Sequence, residues 1–287
     1  MQKTVLVIGA TGMLGEPVVR HLKKIGFQVR ILARDKKKAK KLFDESFEIV
    51  TGDVTDANSL EAALNGCFGV HISLPPNTEL LGVKNTVKIS SQQKLQRITY
   101  TSGATAFDPD AWMPLTKQKL QAENVIRESE IPYTFFCPVG AMENIPFMVQ
   151  GKRASVMGKN PGPVHWYAAD DLGRMVASSY NIEEAQNKKL CVHGPEAIGQ
   201  EKALRQYCTV FRPEIKKISK APYLMIKIIA KLTGNERLKW DIPVIEYFEK
   251  VGEPGDPTEA NRILGPPKTT LDEWLKKRKA RFEKANG

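Results

Sequence analysis

Cysteine and histidine are both scarce here, at four residues each in a chain of 287. Cys67, Cys137, Cys191 and Cys208 show no CxxC or other ligand spacing, which excludes a disulfide frame and a cysteine-built metal centre. They read as small buried hydrophobes, and no metal site is expected. Long apolar runs are also missing. None approaches the roughly 18 uninterrupted apolar residues of a membrane span. The nearest, APYLMIKIIAKLTG from Ala221, is broken by Lys227 and Lys231. The run VLVIGA near the start is too short and wrongly flanked for a signal peptide, so a cytoplasmic protein is expected. No helix-turn-helix, zinc-finger or RNA-recognition signature appears, and nucleic acid is not an expected partner.

Basic residues are abundant. The net charge is +11 and the pI about 9.4. Much of the charge sits in KKKAKK at 36–41 and KKRKAR at 276–281. These read as two solvated helix faces together with a site for an anionic cofactor. At 32.1 kDa the chain has room for one large α/β domain with a smaller appended lobe.

The first half alternates short apolar runs with amphipathic stretches, the signature of βαβ units and a parallel sheet. Strands are expected at 4–10, 28–34, 47–53, 69–75, 97–102 and 133–138, and a helix from Pro114 to Ser129. After Pro138 the alternation fades and Pro and Gly become frequent. A helix from about Ala169 and a strand at 188–194 still belong to the sheet. The expectation is a single Rossmann-type doubly wound domain, with its core in about 1–138 and 167–195. A small C-terminal lobe takes about 139–166 and 199–265. The segment from Pro222 to Leu232 carries an apolar stripe expected to close over the lobe. Thr270-Leu-Asp-Glu273 reads as a capping box opening the last helix.

The loop GATGMLG places Gly9, Gly12 and Gly15 between the first strand and the first helix. In that context the glycines permit a tight strand exit, backbone approach to a pyrophosphate, and close packing of helix on sheet. Thr11 belongs to this loop, and the amides of Met13 and Leu14 would face the pyrophosphate. Strand two ends at Arg34, with Asp35 and the lysines after it. Arg34 suits the 2′-phosphate of NADP(H) and Lys38 adds charge, whereas Asp35 is the dissenting acid an NAD ribose would use. Asp53 is positioned to accept from an adenine amino group, with Val54 packing on the ring. Leu74 and Pro75 should line the cleft at the end of strand four. NADP(H) is therefore expected over NAD(H).

Together GATGMLG, ARDKKKA, GDVTD, TYTSGA, YTFFCPVGAMEN, ADDLG and ILGPPKTTLDEWL resemble the NmrA-like group of atypical short-chain dehydrogenases, from residue 4 to about 275. The resemblance implies an NADP-binding Rossmann core in a group that mixes reductases with cofactor-sensing regulators. It also exposes a departure. The wider superfamily uses a Tyr four residues before a Lys, and here Leu115 stands four before Lys119. Lys119 has two readings: a ligand of the nicotinamide ribose and proton donor, or a solvated helix lysine with Glu123 beside it. Ser102 resembles the superfamily's strand-end Ser. Pro138 is expected against the nicotinamide.

The substrate side is read only from composition, with His71, Phe107, Trp112, Met142, Asn144, Phe147, His165 and Trp166 as candidates. An aromatic pocket would suit a flat or apolar acceptor. The leading expectation is an NADPH-dependent reductase of a small carbonyl, quinone or activated double bond. The alternative is a non-catalytic NADP(H) sensor acting through a protein partner.

Overall fold

The computed structural model describes residues 2–158, 162–234 and 236–286, and they fall into two compact units. Unit 1 comprises residues 1–138, 169–192 and 257–265; unit 2 comprises 139–168, 193–256 and 266–287. The chain opens with β1 (Thr4–Ile8), α1 (Gly15–Lys24), β2 (Gln28–Ala33), α2 (Lys36–Leu42), β3 (Glu48–Thr51) and α3 (Ala57–Leu64). It continues through β4 (Gly69–Ile72), α4 (Pro76–Gln92), β5 (Arg97–Thr101), α5 (Pro114–Glu128) and β6 (Tyr133–Pro138). Three short strands of unit 2 follow: β7 (Val149–Gln150), β8 (Arg153–Met157) and β9 (Pro163–His165). Unit 1 resumes with α6 (Ala169–Ser179) and β10 (Lys188–Val192). Then come β11 (Ala197–Gly199), α7 (Gln200–Phe211), β12 (Ile218–Ala221), α8 (Tyr223–Thr233) and α9 (Glu236–Val251) in unit 2. Last are α10 (Thr258–Leu264) in unit 1 and α11 (Leu271–Asn286) in unit 2.

The sheet of unit 1 has seven strands in the order β3-β2-β1-β4-β5-β6-β10, all paired parallel. This is the Rossmann-type α/β fold expected from the sequence. Its strands are apolar on both faces because helices cover both faces: Val5, Leu6, Val7 and Ile8 are all buried, odd and even positions alike. The order reverses between β1 and β4, and such a switch point opens a crevice at the carboxyl ends of the two strands.

Residues 257–265, expected in the lobe, join unit 1 instead. The Arg174 guanidinium of α6 donates to the carbonyls of Leu264 and Gly265, and Lys188 pairs with Glu259.

Unit 2 holds a three-stranded sheet, β12-β8-β7, and a separate β11-β9 ladder. Its core gathers Met142, Ile145, Val156, Val164, Trp166, Leu204 and Trp274. The capping box at α11 forms in both directions: Thr270 N–H donates to Glu273, and Glu273 N–H donates to the Thr270 hydroxyl. The apolar stripe of α8 does not close over the lobe. Leu224, Met225, Ile228 and Leu232 face outward, while Ile226 and Ala230 supply the buried contacts. No helix among the described residues is long and apolar enough to cross a membrane.

Candidate functional site

The glycine loop sits at the switch point, and its backbone leaves no room for side chains. Gly9 has φ +83°, and a Cβ there would stand 1.9 Å from the carbonyl oxygen of Ser73, just past β4. A Cβ on Gly15 would meet the Gly9 oxygen at 2.2 Å. Gly12 N–H donates to the Gly9 carbonyl at 2.9 Å, and Glu16 N–H donates to the Gly12 carbonyl at 3.1 Å. The turn thus closes tightly on itself. Thr11 is half-buried, Met13 is exposed, and Leu14 is the N-cap of α1 without a side-chain cap bond. The cap of α1 therefore supplies no side-chain acceptor to its first-turn amides.

Just past β2, the Asp35 carboxylate is the N-cap of α2, where Oδ1 accepts from the amides of Lys37 and Lys38 at 2.9 and 3.0 Å. Asp35 thus organises the lysine-rich turn. Arg34 is 74% exposed, with Nε 4.0 Å from Asp53 Oδ2, and Lys38 is exposed one turn into α2. Asp53 Oδ1 accepts from the amide and hydroxyl of Thr55 at 2.9 and 2.8 Å. Those bonds, then the Arg34 charge, hold its carboxyl below the usual range. Asp56, not Asp53, caps α3. Val54 and Leu74 belong to the hydrophobic cluster of unit 1, and Pro75 is the exposed N-cap of α4.

Lys119 is not a solvated helix lysine, and it does not pair with Glu123. Its ammonium donates to Glu79 Oε1 at 2.5 Å and to the Thr101 carbonyl at 2.9 Å, and lies 5.1 Å from the centre of the Tyr100 ring. Glu79, on α4, is fully buried. Burial, then the Glu79 charge, pushes the Tyr100 phenol well above its ordinary pKa. Glu123 instead accepts from the Ser102 hydroxyl at 2.6 Å, from Arg127 at 2.9 Å and from Lys189 at 2.9 Å. The hydroxyl of Ser102 is therefore committed to a buried carboxylate. Pro138 closes β6, buried and paired in register with Val192.

The expected substrate-side residues scatter. His71 is corrected: it is fully buried in β4, with Nδ1 2.9 Å from the Thr99 hydroxyl, and burial pushes its pKa down to about 3. It is a neutral core histidine. Met142 and Trp166 lie in the core of unit 2, the latter donating from Nε1 to the Ile198 carbonyl at 2.9 Å. Trp112 and Phe147 are exposed, and Phe107 lies under the Lys189 ammonium. Asn144 is half-buried, and its Oδ1 makes no hydrogen bond. His165 remains half-exposed, tied to Glu253. Glu79 and Glu253 were missed by the sequence reading because their partners lie 40 and 88 residues away.

Comparison with known proteins agrees with this fold. The NmrA-like family matches residues 1–275, and the chain belongs to that family. Among curated proteins, the NAD(P)H azoreductase of Xenophilus azovorans is 25% identical over 213 residues, covering 73% of this chain and 74% of its own. The photosystem II assembly factor Ycf39 of Trieres chinensis is 22% identical over 252 residues, covering 80% and 76%. Among solved structures, the Citrobacter sp. triphenylmethane reductase complexed with NADP(H) superposes with a TM-score of 0.76 at 21% identity, over 96% of this chain and 99% of its own. The NADPH-dependent quinone oxidoreductase of Escherichia coli complexed with NADPH gives 0.77 at 19%, over 95% and 98%.

Proposed function

We propose that unit 1 binds NADP(H) and that the protein is a cytoplasmic reductase of a flat, apolar acceptor: a quinone, an activated double bond or a small carbonyl. The observation that carries the cofactor assignment is the end of β2, where Arg34 offers an exposed guanidinium while the neighbouring acid, Asp35, turns Oδ1 to the cap of α2. An NAD-selective site needs a carboxylate for the ribose 2′-hydroxyl, whereas a planar guanidinium beside Lys38 complements a 2′-phosphate. Gly9, Thr11, Gly12, Met13, Leu14 and Gly15 would hold the pyrophosphate, in a cradle that a Cβ at Gly9 or Gly15 would fill. Asp53, Val54, Leu74 and Pro75 would flank the adenine side, and Pro138 the nicotinamide.

When bound, the nicotinamide supplies the hydride. Lys119 uses two of its three N–H donors on Glu79 and Thr101, which leaves one for the nicotinamide ribose. Leu115 stands where the superfamily's tyrosine would, and Tyr100 is fully buried. Acceptors whose new negative charge is delocalised need little proton assistance, which favours quinones and enones over simple ketones. The azoreductase and quinone oxidoreductase among the relatives support this class.

The commitment of both Lys119 and Ser102 to buried carboxylates keeps a second reading in play, a non-catalytic NADP(H) sensor signalling to a protein partner. One experiment separates the two. NADPH consumption is followed with purified protein against quinones, enones, aldehydes and azo and triphenylmethane dyes, alongside calorimetry with NADPH, NADP⁺ and NADH. Turnover with any acceptor establishes the reductase. Tight binding that distinguishes NADPH from NADP⁺, without turnover, establishes the sensor.

A further inference from the structure

Two histidines and a glutamate of unit 2 converge on one point. His165 ends β9, His193 is the first residue after β10, and Glu253 lies two residues past α9. Gly252, at φ +91°, turns the chain out of α9 so that Glu253 reaches β9. There Glu253 Oε1 accepts the backbone N–H of His165 at 2.6 Å, and Oε2 faces His165 Nδ1 at 2.5 Å. His193 Nδ1 approaches the same Oε2 to 4.0 Å. Gly194 sets this approach: its N–H donates to the His165 carbonyl at 2.9 Å, and a Cβ there would stand 1.7 Å from the Trp166 oxygen.

The ring of His193 is oriented from behind. Its Nε2 lies 3.2 Å from the Pro254 carbonyl, which can only accept, so the ring proton sits on Nε2 and Nδ1 carries a lone pair. In that tautomer the lone pair and the Glu253 oxygen stand 4.0 Å apart, too far for a hydrogen bond. Two electron-pair donors facing each other across such a gap are reconciled by a cation. A backbone carbonyl fixing the remote nitrogen is also the usual outer-shell arrangement of a metal-bound histidine.

We propose that His165 Nδ1, His193 Nδ1 and Glu253 Oε2 form a binding site for a zinc-class divalent cation. Each of the three residues offers a ligand atom within 4.8 Å of those of the other two. Bonds of roughly 2.0–2.1 Å to a tetrahedral ion space its ligands about 3.3 Å apart. The His165–Glu253 pair must therefore open, and the His193–Glu253 pair close, by roughly 0.7–0.8 Å each. Two imidazoles and a carboxylate suit Zn(II) or Co(II) over the all-oxygen cations, and a fourth position stays open to water. His165 must then offer the lone pair of Nδ1 to the ion, with its ring proton on Nε2. The site does not rest on the reductase reading, because all three ligands belong to unit 2.

The test uses the full chain after chelator treatment, titrated with Zn(II) by calorimetry and with Co(II) by visible absorption. One ion should bind per chain, with the d–d bands of nitrogen- and oxygen-bound Co(II). His193→Ala and Glu253→Gln should each weaken binding by more than the roughly 10–100-fold typical of outer-shell changes. His21→Ala should leave it unchanged, and circular dichroism with NADPH calorimetry reports whether each variant is folded. Absence of Co(II) bands in the wild-type protein, or binding that survives both ligand substitutions, overturns the proposal.

Discussion

Glu79 and Lys119 form a 2.5 Å ion pair between α4 and α5 in which the carboxylate is wholly buried and the ammonium only 12% exposed. A buried pair of this kind is costly to break from one side, because the remaining charge is left without its partner or water. Lys119→Met should destabilise unit 1 by about 3–5 kcal/mol, and the double variant with Glu79→Gln should recover much of that loss. Urea unfolding of both variants checks this. Equal destabilisation by the single and double variants would show that the pair is not energetically coupled.

Gly9→Ala tests the cradle. The new methyl would lie 1.9 Å from the Ser73 oxygen, at a backbone φ of +83° that an L side chain rarely adopts. A strain of about 1–3 kcal/mol would displace the loop. NADPH affinity should then fall by about 10- to 100-fold, measured by calorimetry. Wild-type affinity in this variant would place the pyrophosphate elsewhere.

Arg34→Ala addresses cofactor selection. A charge-assisted hydrogen bond contributes about 1.5–3 kcal/mol. The variant should thus bind NADPH about 10- to 100-fold more weakly while NADH affinity stays nearly constant. Equal losses for both cofactors would remove Arg34 from the 2′-phosphate.

His71 gives the protein an acid sensitivity with a definite sign. Its folded pKa, about 3, lies below the unfolded value of 6.5, so between those values the unfolded chain binds the proton more readily. Stability from this group is present above pH 6.5 and drains away as pH falls toward 3, by about 1.4 kcal/mol per unit. His71→Asn should flatten the pH dependence of the urea midpoint in this window. An unchanged slope would mean that other groups dominate acid unfolding.

What the sequence made legible was local. The strands of unit 1 are short continuous apolar runs, and β6 at 133–138 and α5 from Pro114 match the expected spans closely. Strand ends are expected two or three residues too far where the strand stops before a glycine or proline, as at Gly9 and Pro75. The glycine loop was readable because its spacing and its strand–helix context are both encoded within 12 residues. Partnerships across the chain were not. Nothing near Lys119 announces Glu79, 40 residues earlier, and the i,i+4 neighbour Glu123 offered a nearer but wrong partner. Asp35 was ambiguous because capping and ribose binding call for the same acid at the same place. In unit 2 the helical period of α8 was clear, but periodicity marks an apolar face without saying what it covers.

Ser102 supplies the last test, because strand-end position and hydrogen bonding point in different directions. By position it resembles a catalytic serine. By geometry its hydroxyl donates to Glu123 at 2.6 Å, inside a cluster that Lys189 and Arg127 complete, and the residue is only 5% exposed. A hydroxyl committed to a buried carboxylate cannot also stabilise charge on a substrate. Ser102→Ala should therefore lower stability by about 1.5–3 kcal/mol, the range for a hydrogen bond to a charged group, while kcat at saturating NADPH stays within about twofold of wild type. A fall of 100-fold or more in kcat with unchanged stability would restore the serine to the chemistry, since it would mean that the bond to Glu123 yields when substrate arrives.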